Sequence, residues 1–230
     1  MKPLNTQGVV LKRTDFGEAD RIITVLTPDQ GKLRLLAKGV RKVKSKLAGG
    51  IELFSISDIT FIRGRGDIGT LVSSRLITHY GQIVKSLERV QAGYDLLKQL
   101  DRATEDEPEM EYFTLISRAL AGLEEPTIEL ELIRVWFGAQ LLRLAGHTPN
   151  LSRDTDGAPL VATNKYSFDF DAMAFKPANV GPFEAAHIKL LRLLFADHSP
   201  KTLAQVQGAA PLTAKISPLV RAMQTAHLRI

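Results

Sequence analysis

The sequence predicts an α+β chain of two domains: an amino-terminal β-barrel over residues 1–80, then a helical domain over 81–230 that carries a cysteine-free loop and hairpin insertion at 147–181. Three observations predict it. The first eighty residues divide into five short segments rich in β-branched and aromatic side chains. Helical spacing takes over at Ile83. Proline, glycine, asparagine and aspartate then crowd 147–181.

The strand segments are GVVLKRT, ADRIITVLTPD, GKLRLLAKGV, IELFSISDITFIRG and GTLVSSRLITHY. Turn-forming residues part them: PDQG at 28–31, AGG at 48–50 and RGRGD at 63–67. In KLRLLAK, Leu33 and Leu35 alternate with Lys32 and Arg34, which makes one face apolar and the other cationic. Five strands with no helix between them fit a small antiparallel barrel of OB type. An SH3-like barrel is the alternative.

From residue 83 the set Ile83, Leu87, Val90, Tyr94, Leu97 and Leu100 recurs every three or four residues and predicts an amphipathic helix. EDEPEMEYF ends it and starts another, with Pro108 near the first turn and acids where a helix amino end favours them. PTIELELIRVWFGAQLLRLAG, 126–146, is apolar on nearly every side; it reads as a buried central helix stopped at Gly146 with Pro149 beyond, and Trp136 and Phe137 as core. In 147–181 the alternating YSFDFDAMAF suggests a hairpin. Phe183, Ile188, Leu191, Leu194 and Phe195 mark a further helix, TLAQVQG a short amphipathic piece, and a last helix runs from about 211.

Absences narrow the chemistry. The 230 residues contain no cysteine, so neither a disulfide nor a thiolate metal site is available. There is no phosphate-loop motif G-x-x-x-x-G-K-[ST], no G-x-S-x-G and no H-E-x-x-H. The histidines, at 79, 147, 187, 198 and 227, lack metal-ligand spacing. Asp154, Asp156, Asp169 and Asp171 are the best candidates for a Mg²⁺ site of a nuclease. Yet Asp169 and Asp171 simply alternate with Phe168 and Phe170, and RDTDG is an ordinary turn. RGD at 65–67 reads as a hairpin tip. The expectation is a non-enzyme without cofactor or metal. No signal peptide and no membrane-length apolar run are visible, so a cytoplasmic protein that makes no membrane contact is expected.

Charge supplies the positive signal. The net charge is +5, but residues 1–80 hold fourteen Lys and Arg against seven acids, whereas 81–230 hold sixteen against eighteen. The surplus concentrates in AKGVRKVKSKLAGG, where Lys38, Arg41, Lys42, Lys44 and Lys46 occur with no acid among them. Lys32 and Arg34 lead into this segment, and Arg63 and Arg65 occupy another turn. A solvated lysine-rich surface is the plain alternative. On a barrel, such a cluster beside a glycine pair suits mobile, projecting side chains that contact phosphates without reading bases. Phe16, Phe54, Phe61 and Tyr80 are the only aromatics of this third, so stacking is expected to be minor, with Phe54 and Phe61 in the core.

GVVLKRTDFGEADRIITVLT followed by GKLRLLAKGVRKVKSKLAGGIELF resembles the amino-terminal domain of the RecO family of bacterial recombination mediators, including the A-K-G-x-R and L-x-G-x-[IL]-[EQ]-x-F elements at Ala37–Arg41 and Leu47–Phe54. The order of helices, insertion and helices resembles that family too. The resemblance implies an OB domain joined to a helical one, binding of single- and double-stranded DNA, and annealing of complementary strands. It also implies work with RecR to help RecA displace the single-stranded-DNA-binding protein, in association with the nucleoid. The family's basic barrel residues carry over onto Lys32, Arg34, Lys38, Arg41, Lys42, Lys44 and Lys46. Many relatives have a C-x-x-C-G motif where this chain has LSRDTDGAPL, with Asp154 and Asp156 near the cysteine positions. The insertion is therefore expected to fold without metal, held by Phe168, Phe170 and Phe175. The rival reading is an OB-type RNA-binding factor of translation or ribosome assembly.

Overall fold

The computed structural model describes residues 2–105, 107 and 109–228. Its internal contacts divide the chain into two compact units, Met1–Pro126 and Thr127–Ile230.

In the first unit, β1 (Leu4–Phe16), β2 (Asp20–Leu26), β3 (Lys32–Ala37), β4 (Ser55–Ile62) and β5 (Ile68–His79) close into a barrel of order β1-β2-β3-β5-β4. All pairings are antiparallel except β3 with β5, where Leu35 stands opposite Gly69. This closed five-stranded order is the OB-type architecture that the strand count predicts. The barrel is filled by residues from every strand, among them Val10, Ile23, Val25, Leu35, Ile59, Phe61 and Leu71, and by Val40 and Ile51 from the β3–β4 connection. Strand β4 shows the expected period of two, burying Ser55, Ser57, Ile59 and Phe61 in alternation. Strand β1 breaks that rule: a bulge between Val10 and Lys12 lets Val9, Val10 and Leu11 all be buried.

Two helices complete this unit, α1 (Leu87–Ala103), capped by the Ser86 hydroxyl accepting from the Arg89 amide, and α2 (Met110–Glu124). Pro108, expected at the start of α2, lies outside the described residues. The buried face of α1 keeps Leu97 and Leu100, as their spacing predicts, and departs from the expected one nearer the amino end. Leu87 and Tyr94 are exposed, and Arg89, Ala92, Gly93, Leu96, Leu97 and Leu100 face inward. Two contacts rotate the face. The Arg89 guanidinium donates to the Leu123 and Pro126 carbonyls at 2.8 and 2.9 Å, satisfying the carboxyl end of α2. Gly93 admits the Phe54 ring so closely that a Cβ there would lie 2.5 Å from a ring carbon.

The second unit centres on α3 (Leu130–Leu144), which buries every residue from Val135 to Leu142, Trp136 and Phe137 included. Gly146 ends it at φ 81°, a left-handed position that suits glycine. Around it stand α4 (Ala185–Phe195), α5 (Pro200–Leu203) and α6 (Ala209–His227). Phe183, Ile188, Leu191, Leu194 and Phe195 are all buried, as their spacing predicts. The insertion is more regular than expected. Strands β6 (Asn150–Asp154), β7 (Lys165–Asp169) and β8 (Ala174–Ala178) form a sheet of order β6-β8-β7, with β6 parallel to β8. Its aromatic centre is wider than expected: Phe175 packs edge-on to Tyr166, Phe168 and Phe183, and Phe170 packs edge-on to Phe168 at the exposed margin.

Candidate nucleic-acid interface

The cationic segment is the long connection from β3 to β4. Val40 and Ile51 sink into the barrel core at its two ends, Leu47 and Ala48 pack against that core, and the stretch from Arg41 to Lys46 lies at the surface. Arg41, Lys42, Lys44 and Lys46 are all exposed, as is Lys38, and Val43 stands wholly in solvent. The side chains project as expected, but the backbone is tied down. The Gly39 amide donates to Asp20 Oδ1 at 2.7 Å and the Arg41 amide to the Ala19 carbonyl at 2.9 Å, which fastens the segment to the β1–β2 hairpin tip. Two successive turns, Lys42 N–H to Gly39 O and Ser45 N–H to Lys42 O, shape the apex. Cations on a fixed backbone lose less freedom on binding than cations on a loose arm.

The nine cationic residues do not form one line. Lys38 follows the carboxyl end of β3 and Lys32 opens its amino end, so the strand's six residues hold them about 20 Å apart. Arg34 and Arg63 line a recess of about 340 Å³ at that far end, with Asp67 beside them and Arg63 donating to Gln30 Oε1 at 3.0 Å. Arg65 is exposed in the adjoining turn. Lys32 departs from the expected cationic face. Its ammonium donates to the Asp101 and Thr104 carbonyls at 2.8 and 2.7 Å and lies 3.6 Å from the Asp101 carboxylate, where it holds the end of α1. Among the described residues, Lys38, Lys42, Lys44 and Lys46 form no ion pair.

Asp15 organises the hairpin side. It accepts from Arg21 Nε at 2.7 Å and lies 3.6 Å from Arg41 Nε. The hydrogen bond from Arg21 is the main cause that holds its carboxyl below the ordinary value; burial opposes it, and the charges of Arg41, Arg21 and Arg13 reinforce it. Charge counting along the sequence missed this acid, which restrains Arg41. The signal lay in the hairpin sequence TDFGEADR, where acids and an arginine flank a turn.

Two of the four insertion aspartates serve the backbone. Asp154 Oδ1 accepts from the amides of Asp156 and Ala158 at 3.0 and 2.8 Å, and Asp169 Oδ1 from that of Ala172 at 2.9 Å. Asp156 and Asp171 are exposed. Among the described residues no three His, Asp or Glu side chains converge as metal ligands would, and no helix is long and apolar enough to cross a membrane.

A closed five-stranded barrel with an exposed cationic β3–β4 connection defines an OB-barrel protein. Comparison with known families is specific: residues 1–80 match the model for the recombination protein O amino-terminal domain and residues 87–230 that for its carboxyl-terminal domain. The chain belongs to the RecO family. Among similar proteins named DNA repair protein RecO, that of Rhodopirellula baltica is 36% identical over 151 residues, 64% of this chain and 55% of its own length. That of Dehalococcoides mccartyi is 34% identical over 163 residues, 70% of this chain and 64% of its own. That of a Roseiflexus species is 33% identical over 198 residues, 82% and 69%. The chain thus spans between about half and two thirds of the length of these relatives.

Proposed function

We propose that this chain acts in DNA repair as a non-enzymatic mediator that holds DNA by its phosphates and lets complementary strands pair. The observation that carries the reading is the anchored β3–β4 connection, which presents Arg41, Lys42, Lys44 and Lys46 together on the barrel surface. Cations on both strands lower their mutual repulsion, and pairing itself supplies the driving free energy, about 1.4 kcal/mol per stacked step. Neither ATP nor a metal enters the scheme.

Residues 1–80 are assigned the DNA-binding role, with Lys38 beside the loop and Arg34, Arg63 and Arg65 as a separate set. Residues 81–230, near neutral in charge, are assigned to docking RecR and the single-stranded-DNA-binding protein and so to helping RecA onto coated strands, in the cytoplasm at the nucleoid. Family membership supports these partners, and favours DNA over the RNA-factor alternative.

The test changes Arg41, Lys42, Lys44 and Lys46 together to alanine. If all four meet single-strand phosphates, the log–log dependence of affinity on salt should become shallower by roughly 3 units. An unchanged slope would move the binding site elsewhere. Annealing of complementary oligonucleotides, bare and protein-coated, should slow in the same variant. Preference for structured RNA over single-stranded DNA at equal salt would favour the RNA reading.

A further inference from the structure

A cleft of about 930 Å³ lies between β1 and α1 in the first unit, beside the hairpin that anchors the cationic loop. Its charges are unequally committed. Each of its three acids has a partner: Asp15 with Arg21 and Arg41, Asp95 with Gln91, and Asp101 with Lys32. Of its five cations, Arg13 and Arg21 are paired to Glu52 and Asp15. Lys12, Lys98 and Arg102 are exposed and, among the described residues, form no ion pair.

The free groups are ordered. Tyr94, Lys98 and Arg102 follow one another at four-residue spacing, so they form a single stripe about 12 Å long on α1. Lys12 faces them from β1. The Tyr94 ring is half exposed, 48%, yet fixed edge-on against Phe54 at 5.5 Å between centroids. A rigid, half-bare ring followed by two cations is the combination that takes an unpaired base on its face and phosphates along its flank. Duplex DNA offers no free base face to such a ring.

We infer that this cleft holds a single-stranded polynucleotide segment, stacked on Tyr94 and neutralised by Lys12, Lys98 and Arg102, next to the strand held by the loop. The inference rests on the loop binding DNA. Asp15 lines the cleft and also pairs with Arg41 of the loop, so the two sites share a border. Two strands held side by side are what annealing requires.

Tyr94→Trp supplies a reporter, because the chain's single tryptophan, Trp136, is only 1% exposed. Oligothymidylate should quench the emission of this variant, and an abasic deoxyribose-phosphate oligomer should not. Tyr94→Ala should weaken oligothymidylate binding about 5- to 100-fold at an unchanged salt slope. Lys12→Ala, Lys98→Ala and Arg102→Ala combined should slow annealing at least tenfold while the first strand still binds. If the Tyr94→Trp variant binds oligothymidylate with unchanged emission, the cleft assignment is overturned and the loop assignment stands. Equal quenching by polyglutamate would make the cleft an acidic-peptide site and overturn the assignment as well. If the reporter responds but the loop variant keeps its salt slope, the loop assignment fails instead. No oligonucleotide binding by the unaltered chain would overturn both.

Discussion

The Lys32 ammonium donates to the Thr104 carbonyl at 2.7 Å, joining the first residue of a barrel strand to the end of α1. With its side chain only 15% exposed and a second bond to the Asp101 carbonyl, Lys32 is a structural residue. Lys32→Ala should lower stability to urea by about 1.5–3 kcal/mol, the range for hydrogen bonds from a charged donor. The salt dependence of DNA binding should not change, whereas a phosphate-contacting lysine would shift it.

Phe54 takes a left-handed backbone, φ 60°, and seats its ring over Gly93. A methyl at Gly93 would overlap that ring, so Gly93→Ala should destabilise by about 1–3 kcal/mol despite the better helix propensity of alanine. An exposed-helix glycine would instead be stabilised by the change, and thermal denaturation tells the two apart.

Asp15 restrains both Arg21 and Arg41. Asp15→Asn should release them, tighten single-strand binding at low salt and steepen the salt slope by about 0.7 per arginine that finds a phosphate. Weaker binding would show that the carboxylate is needed to position Arg41.

Asp154 is 8% exposed and accepts two amide hydrogen bonds. Asp154→Ala should therefore cost about 2 kcal/mol through those lost bonds. Adding a chelator should leave the melting curve in place. Stoichiometric zinc or magnesium in the purified protein would contradict this account of the insertion.

His187 Nδ1 accepts from the Glu184 amide at 3.0 Å, capping α4. Burial lowers its pKa, opposed by the Glu184 carboxylate and assisted by Lys215. The folded state thus binds fewer protons than the unfolded chain, whose value is about 6.5. The cap's contribution is complete above that pH and is lost as pH falls through the folded value. Acid should weaken the native protein less in His187→Gln, and an imidazole titration midpoint at or above 6.5 would contradict the assignment.

Several features were legible without coordinates. Gly and Pro punctuation marked PDQG and RGRGD as turns, and the strand-like segments around them placed Phe54 and Phe61 in the core, because strand propensity and turn chemistry are local. The full apolar circumference of α3 announced its burial for the same reason. The acid-free run from Lys38 to Lys46 was visible as charge alone.

Other features depend on who the neighbour is. Helical spacing offered Leu87 and Tyr94 to the core along with Leu97 and Leu100; the last two are buried, but Arg89 found carbonyls at the end of α2 and Gly93 found the Phe54 ring, so these took the places of Leu87 and Tyr94. Tyr166 and Phe183 join Phe175 at the centre of the insertion through the β7–β8 pairing and the Tyr166–Phe183 bridge, whereas Phe170 stays exposed. Lys32 reads as one more cation until Asp101 and Thr104, some seventy residues later, claim its protons. Local periodicity and composition determined which segments are strands, helices and cationic loop, since they act over a few residues. Only the tertiary structure decided which charges remain free, because pairing and burial are set by contacts between residues far apart in the chain.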